Sequence, residues 1–154
     1  MTNLRKQVIQ KSSELEISQQ LSFLRETMPK NIASAKGIDL DQATIEAEKQ
    51  IAELLADEFK DHFFTAFSDS KPTGYTWLRS QSDELFVAYL YILKPYRKKG
   101  IGSSVMNWIE DFARDGGYNR LGLVVSAQNR SAISLYERSG YAFGSMKMTK
   151  QILS

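Results

Sequence analysis

A chain of 154 residues with 42% hydrophobic and 25% charged side chains has the make-up of an ordinary globular domain, and can bury about two-thirds of its unfolded surface without a metal or a disulfide. The lack of cysteine excludes disulfide frameworks, Cys-ligated zinc, iron–sulfur clusters and a cysteine acyl-enzyme; the single histidine, His62, excludes HExxH and His-pair metal sites and leaves Ser-His-Asp catalysis only through itself. The net charge of +2 is too small to point to nucleic acid, but it divides as −3 over residues 1–77 and +5 over 78–154, with Lys94, Arg97, Lys98 and Lys99 forming a compact basic cluster.

The longest apolar run, residues 85–93, has nine residues against the roughly 20 that span a bilayer, and no apolar segment follows the first six residues. A cytoplasmic protein without a signal peptide, membrane span or metal site is therefore expected.

Residues 4–9 read as a short first strand. Ile17, Leu21, Leu24 and Met28 share one helical face, which Pro29 is expected to end. Asp41 reads as the N-cap of a second helix carrying Ala47, Ile51, Leu54, Leu55 and Phe59. From about residue 62 the period becomes that of strands. Residues 63–67 and 75–79 form a predicted hairpin around a turn at 68–74, and 84–93 read as a central strand, apolar on both faces. A helix over 102–114 closes at Gly116-Gly117, residues 121–125 form another buried strand, and Ala132, Leu135 and Tyr136 line a short helix ending at Gly140. Strands at 141–143 and 146–152 complete an α+β chain, with a mixed, mostly antiparallel sheet of six to seven strands and helices on both faces.

The segment with chemical content runs from Leu90 to Ser103: a buried strand, a turn holding Arg97, Lys98, Lys99 and Gly100, then a helix opening on Ile101-Gly102-Ser103. Amide groups at a helix N-terminus have no intrahelical partners, the helix dipole adds positive charge, and glycines let an anion approach the backbone. The segment is neither a Walker A loop nor a GxGxxG dinucleotide loop, since the third glycine is missing.

Arg97-Lys-Lys-Gly100-Ile-Gly102 behind a strand resembles the [Arg/Gln]-x-x-Gly-x-[Gly/Ala] hallmark of the GCN5-related N-acetyltransferase (GNAT) superfamily. Asn129-Arg-Ser-Ala132-Ile-Ser-Leu135-Tyr136-Glu137-Arg-Ser-Gly140-Tyr141 resembles its second signature, in family order and spacing. Lys98-Lys99 stand where small residues or a glycine are usual, and Pro95 lies closer to Arg97 than is common. The resemblance implies one GNAT-type domain over 1–154, with a variable strand and two helices in 1–60 and the sheet core with the cofactor motifs in 61–154.

It further implies an acetyl-CoA-dependent N-acetyltransferase acting on an amine, with the cosubstrate between two splayed parallel strands at 85–93 and 121–125. The amides of Arg97, Lys98, Lys99, Gly100, Ile101, Gly102 and Ser103 would hold the diphosphate. The backbone of Leu90, Tyr91 and Ile92 would pair with the pantetheine arm, the Ile92 N–H would serve as oxyanion donor, and Asn129 would contact the cosubstrate. Tyr136 would protonate the leaving thiolate, its other reading being a core aromatic. Glu84 is a base candidate or a surface turn acid, and His62 beside Phe63-Phe64 reads as structural. Tyr75, Trp77, Tyr89 and Tyr91 read as core or as an acceptor lining. A non-catalytic CoA-binding regulatory or sensor module is the alternative. The partners implied are acetyl-CoA and an amine acceptor, with a homodimer compatible; no nucleic acid and no membrane are expected.

Overall fold

The computed structural model describes residues 7–56, 60–146, 148, 150 and 152. The chain forms two compact units, one of residues 1–18 and 59–125 and one of residues 19–58 and 126–154. The first holds a five-stranded mixed sheet in the order β1-β2-β3-β4-β5. Its strands are β1 (Val8–Lys11), β2 (Lys60–Ser68), β3 (Lys71–Gln81), β4 (Glu84–Ile92) and β5 (Arg120–Leu123). The first three pairings are antiparallel and β4 pairs with β5 in parallel. Helix α1 (Glu14–Lys36) starts in this unit, and α3 (Ile101–Asp115) lies wholly within it.

Strand β4 lies between β3 and β5; Leu85 and Val87 on one face are buried, and its other residues are half-buried. Ile101, Val105, Met106, Ile109 and Ala113 form the buried stripe of α3. Beside it, Trp108 and Phe112 meet Phe64 of β2 edge-on, at ring-centroid distances of 4.7 and 5.3 Å. His62 sits against Phe112 at 5.5 Å and hydrogen-bonds Ser80 at 3.3 Å, as its structural reading expects. On the other face of the sheet, Trp77 stacks on Phe63 at 4.9 Å.

Arg79 is 1% exposed, and its guanidinium Nε donates to Asp61 Oδ1 at 2.9 Å, the oxygen that also accepts from Trp77 Nε1. A buried charge stripped of its counter-ion is costly, so Asp61→Ala is expected to destabilise by on the order of 3 kcal/mol, read as a lower urea midpoint at unchanged slope. Asp61→Asn, which keeps an acceptor, should cost less.

The second unit holds the rest of α1, α2 (Leu40–Ala56) and α4 (Arg130–Arg138). Helix α1 passes through Pro29, which is buried within it, and stops at Gly37 (φ +66°), whose amide bonds Ala33 O at 2.8 Å. The expected stop at Pro29 is therefore corrected: the missing amide bond of one proline does not outweigh the burial around Leu24 and Pro29, and a left-handed glycine ends the helix. The α2 cap is Asp39, whose Oδ1 accepts from Gln42 N at 2.8 Å, and not Asp41. Ala43, Ala47 and Ile51 recur every fourth residue and are buried. Phe59, also assigned to this helix, lies outside the described residues.

The β2–β3 turn is only Asp69-Ser70, both at positive φ (50° and 65°), so Pro72 and Gly74 stand inside β3 and not in the turn. Among the described residues the sheet has five strands where six to seven were expected. Residues 141–146 take no regular structure, nor do the described residues 146, 148, 150 and 152 of the last expected strand; residues 147, 149 and 151 of that strand lie outside the described set. Phe143, Met146, Met148 and Ile152 are exposed. Alternation gives a segment the capacity to bury one face, but without such burial nothing offsets the entropy of ordering it. The strand expected at 4–9 begins at Val8, with residues 4–6 outside the described set.

Candidate active site

Strands β4 and β5 pair only from Glu84↔Arg120 to Val87↔Leu123, while β4 runs on to Ile92. A β-bulge marks the point of parting. Trp77 pairs with Tyr89 and Leu78 with Val87, which leaves Ala88 as an extra residue on β4 that bends the strand where its β5 ladder ends.

Beyond the bulge, the direction of each backbone group follows from alternation. The Leu93 amide donates to Thr73 O at 2.9 Å, so residues 89, 91 and 93 face β3, and Leu90 and Ile92 face the open edge. The Ile92 carbonyl confirms this, since it accepts from Arg97 Nε at 2.8 Å. The open edge therefore offers the Leu90 N–H, the Leu90 C=O and the Ile92 N–H to a ligand that can pair as an added strand. The Tyr91 backbone belongs to the β3 ladder opposite Tyr75, and its ring lies under the Arg97 guanidinium at 5.0 Å.

Past Ile92, Lys94–Tyr96 make one 3-10 turn in which Pro95 stands at a position that needs no amide donor. The Arg97 amide, expected among the diphosphate donors, closes this turn on Lys94 O at 3.3 Å and so already has a backbone acceptor. Lys98 (φ +61°) and Gly100 (φ +78°) both lie in the left-handed region. The glycine usual near position 98 thus suits a conformation that lysine adopts here under mild strain. Gly100 caps α3 without any side-chain hydrogen bond, and Ser104 N donates to Gly100 O at 3.1 Å. The amides of Ile101, Gly102 and Ser103 therefore open the helix, with Lys98 and Lys99 exposed beside them. Amides without intrahelical partners beside exposed lysines suit a compact anion.

Glu84 stands at the opposite, closed end of β4. Its carboxylate lies against Gly122, where a Cβ would collide with it, and 3.9 Å from Arg120 Nε. Eight positions at roughly 3.3 Å each place it about 26 Å from Ile92, whereas a base must reach its proton directly or through one water. Glu84 and Ile92 therefore stand at opposite ends of β4, and the structure does not bring them together. Tyr75, Trp77, Tyr89 and Tyr91 do share one face, as paired registers Tyr75↔Tyr91 and Trp77↔Tyr89. Trp77 and Tyr75 are buried as core, and Tyr89 and Tyr91 are half-exposed with parallel rings 6.0 Å apart. Burial, then the Glu16 carboxylate, raise the Tyr75 phenol above its ordinary range.

In the second unit, Asn129 caps α4 by accepting from Ala132 N at 3.2 Å. Tyr136 lies on α4, edge-on to Tyr141 at 5.9 Å, and burial raises its phenol pKa, which favours the protonated form an acid needs. The residue missed by sequence reading is Gly74: a Cβ there would lie 2.8 Å from Ile92 Cδ1 and 2.9 Å from Tyr91 O. A glycine inside a strand signals such an approach, but Gly74 had been assigned to a turn.

Among the described residues no group of three or more potential metal ligands occurs, and no helix is long and apolar enough to cross a membrane. The model of the acetyltransferase (GNAT) family matches residues 20–141. The chain is 28% identical over 131 residues to the uncharacterized N-acetyltransferase YdgE of Bacillus subtilis (strain 168), covering 79% of this chain and 82% of that one. The YycN crystal structure from Bacillus subtilis superposes with a TM-score of 0.86 at 20% identity, covering 96% and 99% of the two chains. The PaiA N-acetyltransferase from Thermoplasma acidophilum, in complex with coenzyme A, does so with a TM-score of 0.67 at 23% identity, covering 92% of each. A fold shared with these structures and a family match over most of its length establish that the chain belongs to the acetyltransferase (GNAT) family.

Proposed function

We propose that the chain, acting as one GNAT-type domain over residues 1–154, transfers the acetyl group of acetyl-CoA to a primary amine. The observation that carries this reading is the open edge of β4, followed within ten residues by the uncapped N-terminus of α3. An elongated molecule with a diphosphate and an amide-bearing arm matches these two features in chemistry. The amides of Ile101, Gly102 and Ser103 hold the diphosphate, with Lys98, Lys99 and Gly100 shaping the cradle. Leu90 pairs with the arm, and the Ile92 N–H donates to the thioester oxygen as negative charge develops on it. The neutral amine attacks the carbonyl carbon; a C–N bond forms, the C–S bond breaks, and the amine's proton passes to water. Tyr136 gives its phenolic proton to the departing sulfur, and the phenolate then regains a proton from water. Asn129 contributes by fixing the start of the helix that carries Tyr136.

A thiol-release assay with acetyl-CoA and a panel of spermidine, a lysine amide, an aminoglycoside and a peptide N-terminus tests the reading. Amine-dependent release supports it. Tight acetyl-CoA binding without release for any amine would instead leave a CoA-binding module. Tyr136→Phe should lower turnover about 10²-fold while acetyl-CoA affinity stays within about twofold. Because burial places the phenol above its ordinary 10.0, wild-type turnover should persist through neutral pH and fall only in the alkaline range beyond that value, a limb the variant lacks. Equal rates for both proteins would remove Tyr136 from the acid role.

A further inference from the structure

The Ile92–Leu93 peptide plane is held on both edges: its N–H side by Thr73 O at 2.9 Å and its C=O side by Arg97 Nε at 2.8 Å. The preceding plane is fixed through Tyr91, whose backbone pairs with Tyr75 of β3. The Ile92 N–H belongs to this preceding plane, which meets the held Ile92–Leu93 plane at Ile92 Cα, so fixing the second plane restrains the turn of the first.

Arg97 is committed to this hold by more than one contact. Its guanidinium lies over the Tyr91 ring at 5.0 Å, and that ring is parallel to Tyr89 at 6.0 Å. Its own amide closes the 3-10 turn on Lys94, so the side chain folds back on β4. Lys98 and Lys99 remain to supply positive charge beside the anion cradle.

We propose that Arg97 is a positioning residue: through the Ile92 carbonyl it fixes the end of β4 and so aims the Ile92 amide, and its part in binding phosphate is minor. The proposal rests on the acetyl-transfer reading for its effect on turnover, but the hold itself exists without any ligand.

The test separates the N–H donor from the charge. In glutamine, Nε2 stands the same number of bonds from Cα as Nε does in arginine, so Arg97→Gln removes the charge and keeps a donor. Arg97→Met has similar length and neither charge nor donor. Arg97 is exposed, so neither substitution opens a cavity. In thiol-release assays with the amine of the panel that reacts fastest, Arg97→Met should lose about tenfold or more in kcat and Arg97→Gln should recover to within about threefold of wild type. Calorimetry should show both variants binding acetyl-CoA with similar Kd, within about threefold of wild type.

Independently of activity, the Leu93 amide nitrogen shares the peptide plane of the Ile92 carbonyl, and its ¹⁵N resonance in ligand-free protein should move in Arg97→Met and return in Arg97→Gln. Equal kcat for the two variants, with acetyl-CoA Kd raised about tenfold in both, would make Arg97 a phosphate ligand and overturn the proposal. An unmoved Leu93 resonance in Arg97→Met would overturn it as well. A Leu93 resonance that follows the donor, in a wild-type protein that acetylates no amine, would uphold the hold on β4 and overturn the acetyl-transfer reading alone.

Discussion

Gly100→Glu is expected to leave acetyl-CoA binding undetectable by calorimetry under conditions that saturate the wild type. Gly100 caps α3 at φ +78° with no side-chain hydrogen bond. Two effects of the substitution differ in size. A left-handed backbone costs an ordinary residue about 1–2 kcal/mol, so the fold should persist with a melting temperature lowered by several degrees. A carboxylate placed about 4 Å from a phosphate opposes it by about 4 kcal/mol at an effective dielectric of about 20, or roughly 10³-fold in affinity. Affinity therefore falls much further than stability. Gly100→Asn separates the two, since asparagine tolerates the left-handed region without adding charge, and should keep acetyl-CoA affinity within about tenfold of wild type. Undiminished affinity in Gly100→Glu would place the cosubstrate elsewhere on the protein.

What could be read from the sequence was whatever is encoded locally. The uninterrupted apolar run of residues 85–93 announced a central strand, and β4 does lie between two neighbours. Gly100 and Gly102 behind that run announced a helix start open to an anion, and α3 begins at Ile101 without a side-chain cap. Gly140 marked the end of α4, and it is the left-handed residue that follows the helix. Pro95, which had put the turn shape in question, fits a 3-10 turn where its missing amide has no partner to serve.

What could not be read depends on partners distant in sequence. Ala88 becomes a bulge only because Val87 and Tyr89 pair with consecutive residues of β3. The role of Arg97 depends on which edge the Ile92 carbonyl faces, and that direction is set by the register with Thr73 and Gly74. Glu84 looked plausible as a base because it opens the central strand, but the strand carries it away from the fork. Pro29 and Pro72 misled for a common reason. A proline marks a break only when its lost amide bond matters more than the packing around it, and packing is invisible in a single sequence. The apolar alternation near the C-terminus misled in the opposite direction, since exposed Met148 and Ile152 have the pattern of a strand without its burial.

Gly74→Ala should cut turnover about 10²-fold, although Gly74 touches no reactant in the proposed mechanism. Strands β3 and β4 come close at Gly74↔Ile92, a pair that does not exchange backbone hydrogen bonds, with Leu93 bonded to Thr73 on one side of it. A Cβ on Gly74 would meet Tyr91 O at 2.9 Å and Ile92 Cδ1 at 2.8 Å. Ile92 Cδ1 can swing aside, but Tyr91 O is backbone, so relief requires β4 to shift where it carries the Ile92 amide. Overpacking of this kind costs about 1–3 kcal/mol of stability, which thermal melting would report. A displacement of a few tenths of an ångström at an oxyanion donor bears on kcat more than on cosubstrate affinity, because the diphosphate is held separately at α3. The expected signature is therefore a large fall in kcat with acetyl-CoA Kd within about threefold. Ile92→Val added to Gly74→Ala removes the Cδ1 contact but not the one to Tyr91 O, so it should restore stability in part and leave kcat low. Gly144→Ala, where a Cβ would meet nothing within 4 Å, serves as the control and should change neither quantity. Full turnover in Gly74→Ala would mean that the Ile92 amide tolerates displacement, and the oxyanion role would then have to move to another donor on the open edge, the Leu90 N–H.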